Sequence, residues 1–424
     1  MATKQHLVLI FLVLMFSIPS TRGKSIRKFF NNSEVGLGDV ADGLRVVCGL
    51  LNLFGSPCYP GSYVDTLRPV AGSKVSAPED LSSGAFLLNF SVGDTRQNVA
   101  LIPDTTLDMT FMFCQPCLDC SLETNIPVYN STHSDTFERY KCEGPTDCLT
   151  SRYTSCSSKS CTYSYDDIPA FTSRGFLAKD TFFLTNEPPV SVIFGCGTTN
   201  TGFFGNAVGY LGLGRGNLSF PAQLNVSVFS YCLSFDPSRT TFFFGSDAQM
   251  RTGSGFSTTL IPNRLDPTLY YVNMTGITVG GKRINIPSTS FLPQTDGTGG
   301  LIVDSSSRIT LLEESVYLAF KTEIIKQLQL PEANASVHNL DLCFHISPED
   351  NDVKIPSLTI HFDGSEMTTT NYFTEDTDGK IICLMVLPSK KISILGGQMQ
   401  TDIHMIFDIG NSLLRFEYLN CDNL

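Results

Sequence analysis

The chain has 424 residues, 42% hydrophobic and 17% charged, with 34 glycines, 22 prolines and 31 phenylalanines. That composition is too apolar for a disordered chain and too rich in turn residues for a helical bundle. A formal net charge of −12 leaves no basic surface to neutralise phosphates, so no nucleic-acid partner is expected.

Residues 1–23 carry Lys4, an apolar run over 7–15 and small residues at Ser20, Thr21 and Gly23, the layout of a secretory signal peptide. The run is too short to span a bilayer, and no later stretch reaches about 18 apolar residues, so no membrane span is expected. The mature chain is expected to be secreted to the extracellular space (apoplast) or delivered to a vacuole. Seven Asn-x-Ser/Thr sequons, at Asn31, Asn89, Asn130, Asn217, Asn225, Asn273 and Asn334, and an even count of 14 cysteines fit that route. Residues 24–79 hold Pro, Gly and Ser clusters, Cys48 and Cys58, and no strand alternation. A pro-segment and a disordered spacer both fit this stretch.

From about residue 84, short alternating or apolar runs bounded by turn residues follow one another, at 86–92, 99–103, 181–184, 190–194, 241–244 and 269–279. They predict an all-β protein. One stretch, 313–328, has helical spacing, with Val316, Phe320, Ile324 and Leu328 on one face.

An internal repeat organises these runs. Ala100-Leu-Ile-Pro-Asp104-Thr-Thr matches Gly300-Leu-Ile-Val-Asp304-Ser-Ser, an apolar strand ending in Asp and two small hydroxyl residues. Each copy is followed by an apolar-apolar-Gly pair, Tyr210-Leu-Gly212 and Ile394-Leu-Gly396. Two lobes are implied, 80–258 and 259–424. Two carboxylates brought together across a pseudo-dyad cannot both ionise, so they share one proton, and one can act as base while the other acts as acid.

The ordered motifs resemble those of plant pepsin-like aspartic proteases of the nepenthesin type, over about residues 84–421. They are Ile102-Pro-Asp104-Thr-Thr-Leu-Asp-Met-Thr-Phe with Cys114-Gln-Pro-Cys117, Phe194-Gly-Cys-Gly197, Gly209-Tyr-Leu-Gly-Leu-Gly-Arg-Gly216, Phe229-Ser-Tyr-Cys232, Gly299-Gly-Leu-Ile-Val-Asp304-Ser-Ser and Phe407-Asp-Ile-Gly-Asn-Ser412. The resemblance implies a bilobal pepsin-like fold with a few short helices, and Asp104 and Asp304 as the catalytic pair. It implies Tyr165 as the flap tyrosine and a disulfide-rich insertion over 114–161. The substrate class it implies is peptide or protein, cut at acidic pH by a monomer that needs no metal and no organic cofactor.

The chain departs from the family at both catalytic turns. Asp-Thr-Gly-Ser and Asp-Ser-Gly-Thr become Asp104-Thr105-Thr106-Leu107 and Asp304-Ser305-Ser306-Ser307, so Thr106 and Ser306 put a Cβ where substrate passes closely. Leu107 removes a hydroxyl expected to orient Asp104, whereas Ser307 keeps the equivalent one for Asp304. Asp166 to Pro169 replace the glycine-rich hairpin tip. These changes support a second reading, a catalytically silent homologue that binds a protein or glycan, as the family's xylanase-inhibitor relatives do.

Other patterns have plainer explanations. Cys114-x-x-Cys117-x-x-Cys120 has metal-knuckle spacing, but in an exported chain disulfides are far commoner. The histidines show no His-x-x-x-His pair, no Gly-x-Ser-x-Gly elbow occurs, and Gly212-Leu-Gly-Arg-Gly216 lacks the ending of a phosphate loop.

Overall fold

The alternating runs become strands whose inward residues are buried. The computed structural model describes residues 65–66, 68–69 and 86–424, apart from 121–125, 145–147, 149–150, 167–170, 185–187, 203, 205, 237–238, 264, 295–296, 335–339, 347–352 and 377–378. The expected signal peptide, Cys48, Cys58 and Asn31 lie outside the described residues.

Two large sheets and two small ones make a bilobal, all-β, pepsin-like architecture. The N-terminal lobe is a 12-stranded sheet built on Phe86–Val92, Gln97–Asp104, Phe111–Gln115 and Gly209–Gly212. Its other wing is a hairpin of two 13-residue strands, Phe171–Phe183 and Val190–Gly202. The expected runs at 181–184 and 190–194 are only parts of these longer strands.

An 11-stranded sheet draws on both halves of the chain. Val228–Cys232 pairs antiparallel with Ile403–Asp408, and Phe256–Ile261 pairs with both Leu413–Tyr418 and Tyr271–Val272. The Phe229 and Phe407 rings stack across this seam at 4.7 Å, with Tyr270 edge-on to Phe407 at 4.7 Å. Such pairs add about 0.5–1.5 kcal/mol each beyond the area they bury. Asp65–Thr66 and Arg68–Pro69, inside the expected pro-segment, pair with Phe86–Leu87 and with Thr241–Phe242 respectively.

The expected helix forms as Glu314–Leu328, one residue shorter than its pattern. Glu313 is its N-cap instead, its carboxylate accepting the N–H groups of Ser315 at 3.1 Å and Val316 at 3.3 Å. The chain turns out of it at Gln329, in the left-handed region with φ 52°. A four-residue helix at Phe220–Gln223, capped by Ser219, has too few residues to show a period.

Six disulfides join the described cysteines. Cys117–Cys120, Cys142–Cys156 and Cys148–Cys161 lie within the insertion, and Cys114–Cys196 ties its start to the long hairpin. Cys232–Cys421 fastens the C-terminus to the shared sheet, and Cys343–Cys383 staples a small one. The sulfurs of Cys142, Cys148 and Cys161 cluster, but each is consumed by a disulfide and is no metal ligand. Asn217, Asn225 and Asn334 are exposed, while Asn89, Asn130 and Asn273 are half-buried. No described helix is long and apolar enough to cross a membrane.

Candidate active site

The sequence repeat folds as a structural repeat. Gln97–Asp104 ends in Asp104 and lies parallel to Gly209–Gly212, with Gly212 opposite Asp104. Leu301–Val303 runs into Asp304 and lies parallel to Ser393–Leu395. Each apolar-apolar-Gly run ends where the backbone of an aspartate-bearing turn passes. A Cβ on Gly212 would stand 2.6 Å from the Met109 carbonyl carbon, and one on Gly396 would stand 2.4 Å from the Ile309 oxygen. The amides of Gly212 and Gly396 donate to the Thr110 and Thr310 hydroxyls at 3.2 and 3.0 Å, so the correspondence extends to side chains.

The two turns are locked to each other. Thr105 Oγ1 donates to the Val303 carbonyl at 2.8 Å and accepts the Ser305 N–H at 3.1 Å. Ser305 Oγ donates to the Pro103 carbonyl at 2.9 Å and accepts the Thr105 N–H at 3.2 Å. Both residues are fully buried, so four reciprocal bonds hold the lobes in register beneath the carboxylates. Gln400 braces Asp304 from below, donating to its carbonyl at 2.9 Å while accepting the Tyr231 hydroxyl at 2.6 Å. The repeat's paired hydroxyl residues were the signal for Thr105 and Ser305; nothing in the sequence singled out Gln400.

Asp104 and Asp304 are almost wholly buried. Asp104 Oδ1 accepts the Thr106 N–H at 2.7 Å and the Thr106 hydroxyl at 2.6 Å. Asp304 Oδ1 accepts the Ser306 N–H at 2.8 Å, the Ser306 hydroxyl at 2.9 Å and the Ser307 N–H at 3.2 Å. The residues replacing the family glycines therefore fold their hydroxyls back onto the carboxylates. The Ser306 hydroxyl acts on Asp104 as well as on its own aspartate. Ser307 differs from expectation: its hydroxyl donates to the Ile309 carbonyl at 3.1 Å, and only its amide reaches Asp304. Two amides and the Ser306 hydroxyl already occupy that oxygen.

Burial holds both carboxyls above the ordinary range, and the charge of Asp104 raises Asp304 further; the hydrogen-bond donors act in the opposite direction. Each carboxylate lies in the field of the other, so the pair titrates as a unit.

Tyr165 ends the strand Ser160–Tyr165, wholly buried, opposite Ser173 in the hairpin. Its ring packs 4.2 Å from that of Tyr153 and 5.5 Å from that of Phe111. Phe111 also contacts Tyr210 at 5.6 Å, and the charges of Asp104 and Asp304 both act on the Tyr210 phenol. The aromatic cluster thus runs from the hairpin to the carboxylate pair. Asp166 accepts from Arg174 Nε at 2.6 Å and from the Ser164 hydroxyl, while 167–170 lie outside the described residues.

A second polar chain, Ser230–His404–Glu417, looks like a nucleophile, base and orienting acid, with contacts of 2.9 and 2.8 Å. All three are buried within the shared sheet, where no substrate reaches the hydroxyl, so it is a satisfied core network.

A bilobal β fold with one buried aspartate per lobe, the two sharing a field at cross-bonded turns, defines the architecture of the pepsin-like aspartic proteases. Residues 86–246 match the family model described as xylanase inhibitor N-terminal, and 269–418 the one described as xylanase inhibitor C-terminal. The chain is 34% identical to aspartic proteinase nepenthesin-1 of Nepenthes gracilis, over 80% of this chain and 78% of that protein. To nepenthesin-2 of the same plant it is 33% identical, over 83% and 81%. The solved structure of basic 7S globulin from soybean is similar in fold, with a TM-score of 0.61 and 20% identity over 79% of this chain and 93% of that one. The chain belongs to the plant pepsin-like aspartic protease family.

Proposed function

We propose that the protein is an aspartic endopeptidase acting on peptide or protein substrates at acidic pH. The observation that carries this reading is the buried pair Asp104 and Asp304, one ending the repeated strand of each lobe, on turns held together by reciprocal Thr105 and Ser305 bonds. With one proton shared, the ionised carboxylate takes a proton from water and the water oxygen attacks the peptide carbonyl carbon. The protonated carboxyl gives its proton to the carbonyl oxygen, producing a neutral gem-diol. The newly protonated carboxyl then gives its proton to the amide nitrogen while the other carboxylate takes one from a gem-diol hydroxyl, so the C–N bond breaks to an acid and an amine and the pair again holds one shared proton. Tyr165 closes the hairpin over the extended peptide.

The replaced glycines are compatible with this chemistry. The added hydroxyls of Thr106 and Ser306 turn toward Oδ1 of their own aspartates, so Thr106 supplies Asp104 with a hydroxyl donor that Leu107 lacks. On this reading residues 24–79 are a pro-segment, the lobes are 80–258 and 259–424, and a monomer is exported to the extracellular space or a vacuole. The names of the matched protease relatives and the six disulfides support it.

Binding of a statine-type peptide inhibitor tests the site without requiring turnover. Tight binding at about pH 4, lost at neutrality and in Asp304→Asn, is the expected result. A folded chain that binds no such inhibitor at any pH would overturn the proposal.

A further inference from the structure

Three buried polar groups beside the candidate site lack partners among the described residues: Oδ1 of Asp108, the hydroxyl of Tyr165 and Nη1 of Arg215. Unpaired buried donors and acceptors are rare in folded proteins, so three in one neighbourhood point to a bond that a small side-chain adjustment completes.

The surroundings identify which bond. Asp108 lies four residues after Asp104, on the same turn, and its buried carboxylate takes the Gly216 N–H. A Cβ on Gly216 would come within 2.1 Å of both carboxylate oxygens, so the glycine loop fits closely round this side chain. Burial pushes the Asp108 carboxyl up to about 6 against that amide's opposing effect. The groups acting on the Tyr165 phenol are Tyr153, Asp108, the Met109 backbone and Tyr163. The Tyr163 hydroxyl is engaged with Ser173 at 2.7 Å. Phe111 and Leu107, the other nearby residues of the turn, offer no polar side-chain atom. Arg215 immediately precedes Gly216 on the loop that fits round the Asp108 carboxylate. Tyr165 and Asp108 thus each hold an unpaired buried polar atom in one neighbourhood, bridged by the 5.5 Å contact of the Tyr165 ring with Phe111, three residues beyond Asp108.

We propose that Asp108 positions the flap: the phenol of Tyr165 donates to Oδ1 of Asp108 and holds the hairpin down on the turn that carries Asp104. The bond links hairpin closure to the catalytic turn. Asp108 touches neither substrate nor water and is a positioning residue. The inference rests on the endopeptidase reading for its functional meaning, but the bond itself does not.

The test uses the full exported chain and the variants Tyr165→Phe, Asp108→Ala, Asp108→Asn and Tyr165→Phe with Asp108→Ala. Inhibitor Kd at about pH 4 and thermal unfolding are both measured. Losing one such bond weakens inhibitor binding about threefold to tenfold in Tyr165→Phe and in Asp108→Ala. The double variant binds no more weakly than the weaker single, and Asp108→Asn, which keeps an acceptor, recovers most of the loss. Effects that multiply in the double variant, or an Asn variant as weak as Ala, overturn the proposal. If the parent chain binds no inhibitor, the endopeptidase reading falls, while the unfolding midpoints still decide the bond by their non-additivity or additivity. If Asp108→Ala does not fold, the parent is examined by proton NMR. A slowly exchanging phenolic proton absent from Tyr165→Phe supports the bond, and its absence from the parent refutes it.

Discussion

Replacing Thr105 with valine removes one methyl-sized hydroxyl from the seam between the lobes and keeps the volume. Two bonds vanish, the 2.8 Å donation to Val303 and the 3.1 Å acceptance from Ser305, leaving a carbonyl and an amide unpaired where no water reaches. An orphaned buried group costs about 1–3 kcal/mol, so partial relaxation leaves a loss of about 3 kcal/mol. With an unfolding entropy of about 2.1 cal/mol/K per residue over the 86–424 body, Tm falls by about 4 °C. Thr105→Ser keeps both bonds and loses only a methyl group, so its Tm stays within about 2 °C of the parent. Calorimetry of the two variants, with Ser305→Ala and the double variant, completes the cycle, and the double loss is expected to be smaller than the sum of the singles. A valine variant with the parent's Tm would refute the view that these reciprocal bonds hold the carboxylates in place.

Three further outcomes follow from the same geometry. The raised pair Asp104 and Asp304 contributes stability that is fully present below the ordinary carboxyl value of 3.8 and lost as pH rises through its folded titration. Burial lowers His404, so its contribution is present above 6.5 and lost as pH falls below it. Urea midpoints from pH 4 to 7 should therefore lose their acid-favouring slope in Asp304→Asn and their opposite slope in His404→Gln; unchanged slopes would contradict the assignment. Ser306→Ala removes a donor to both aspartates and should move the alkaline limb of inhibitor binding to higher pH, whereas a downward move would refute the donor role. Gly396→Ala places a Cβ 2.4 Å from the Ile309 oxygen and should lower Tm by several degrees, while an unchanged Tm would show that the close approach is not required.

What the sequence disclosed is what local physics writes into it. Strand ends, aspartates and apolar-apolar-Gly pairs were legible because Gly212 and Gly396 face backbone that excludes a side chain. The helix was legible from the spacing of Val316, Phe320 and Ile324, but Glu313 fits the same pattern whether it caps or belongs. Thr105 and Ser305 meet across 200 residues, and Gln400 reaches Asp304 across 96, so no window of sequence shows either contact. Ser306 and Thr106 were visible as lost glycines, but the direction of their hydroxyls depends on the turn geometry. The pairing of the described cysteines, likewise, is set by which strands adjoin.

Cleavage of an unfolded protein by the purified mature chain, from about pH 2.5 to 7, tests the endopeptidase reading most directly, with Asp104→Asn as control. Acid-confined cleavage abolished by that change is the predicted result. A folded chain that cleaves nothing, or one whose activity survives Asp104→Asn, would contradict the shared-proton account, and inactivity would favour a silent homologue that binds a protein or glycan.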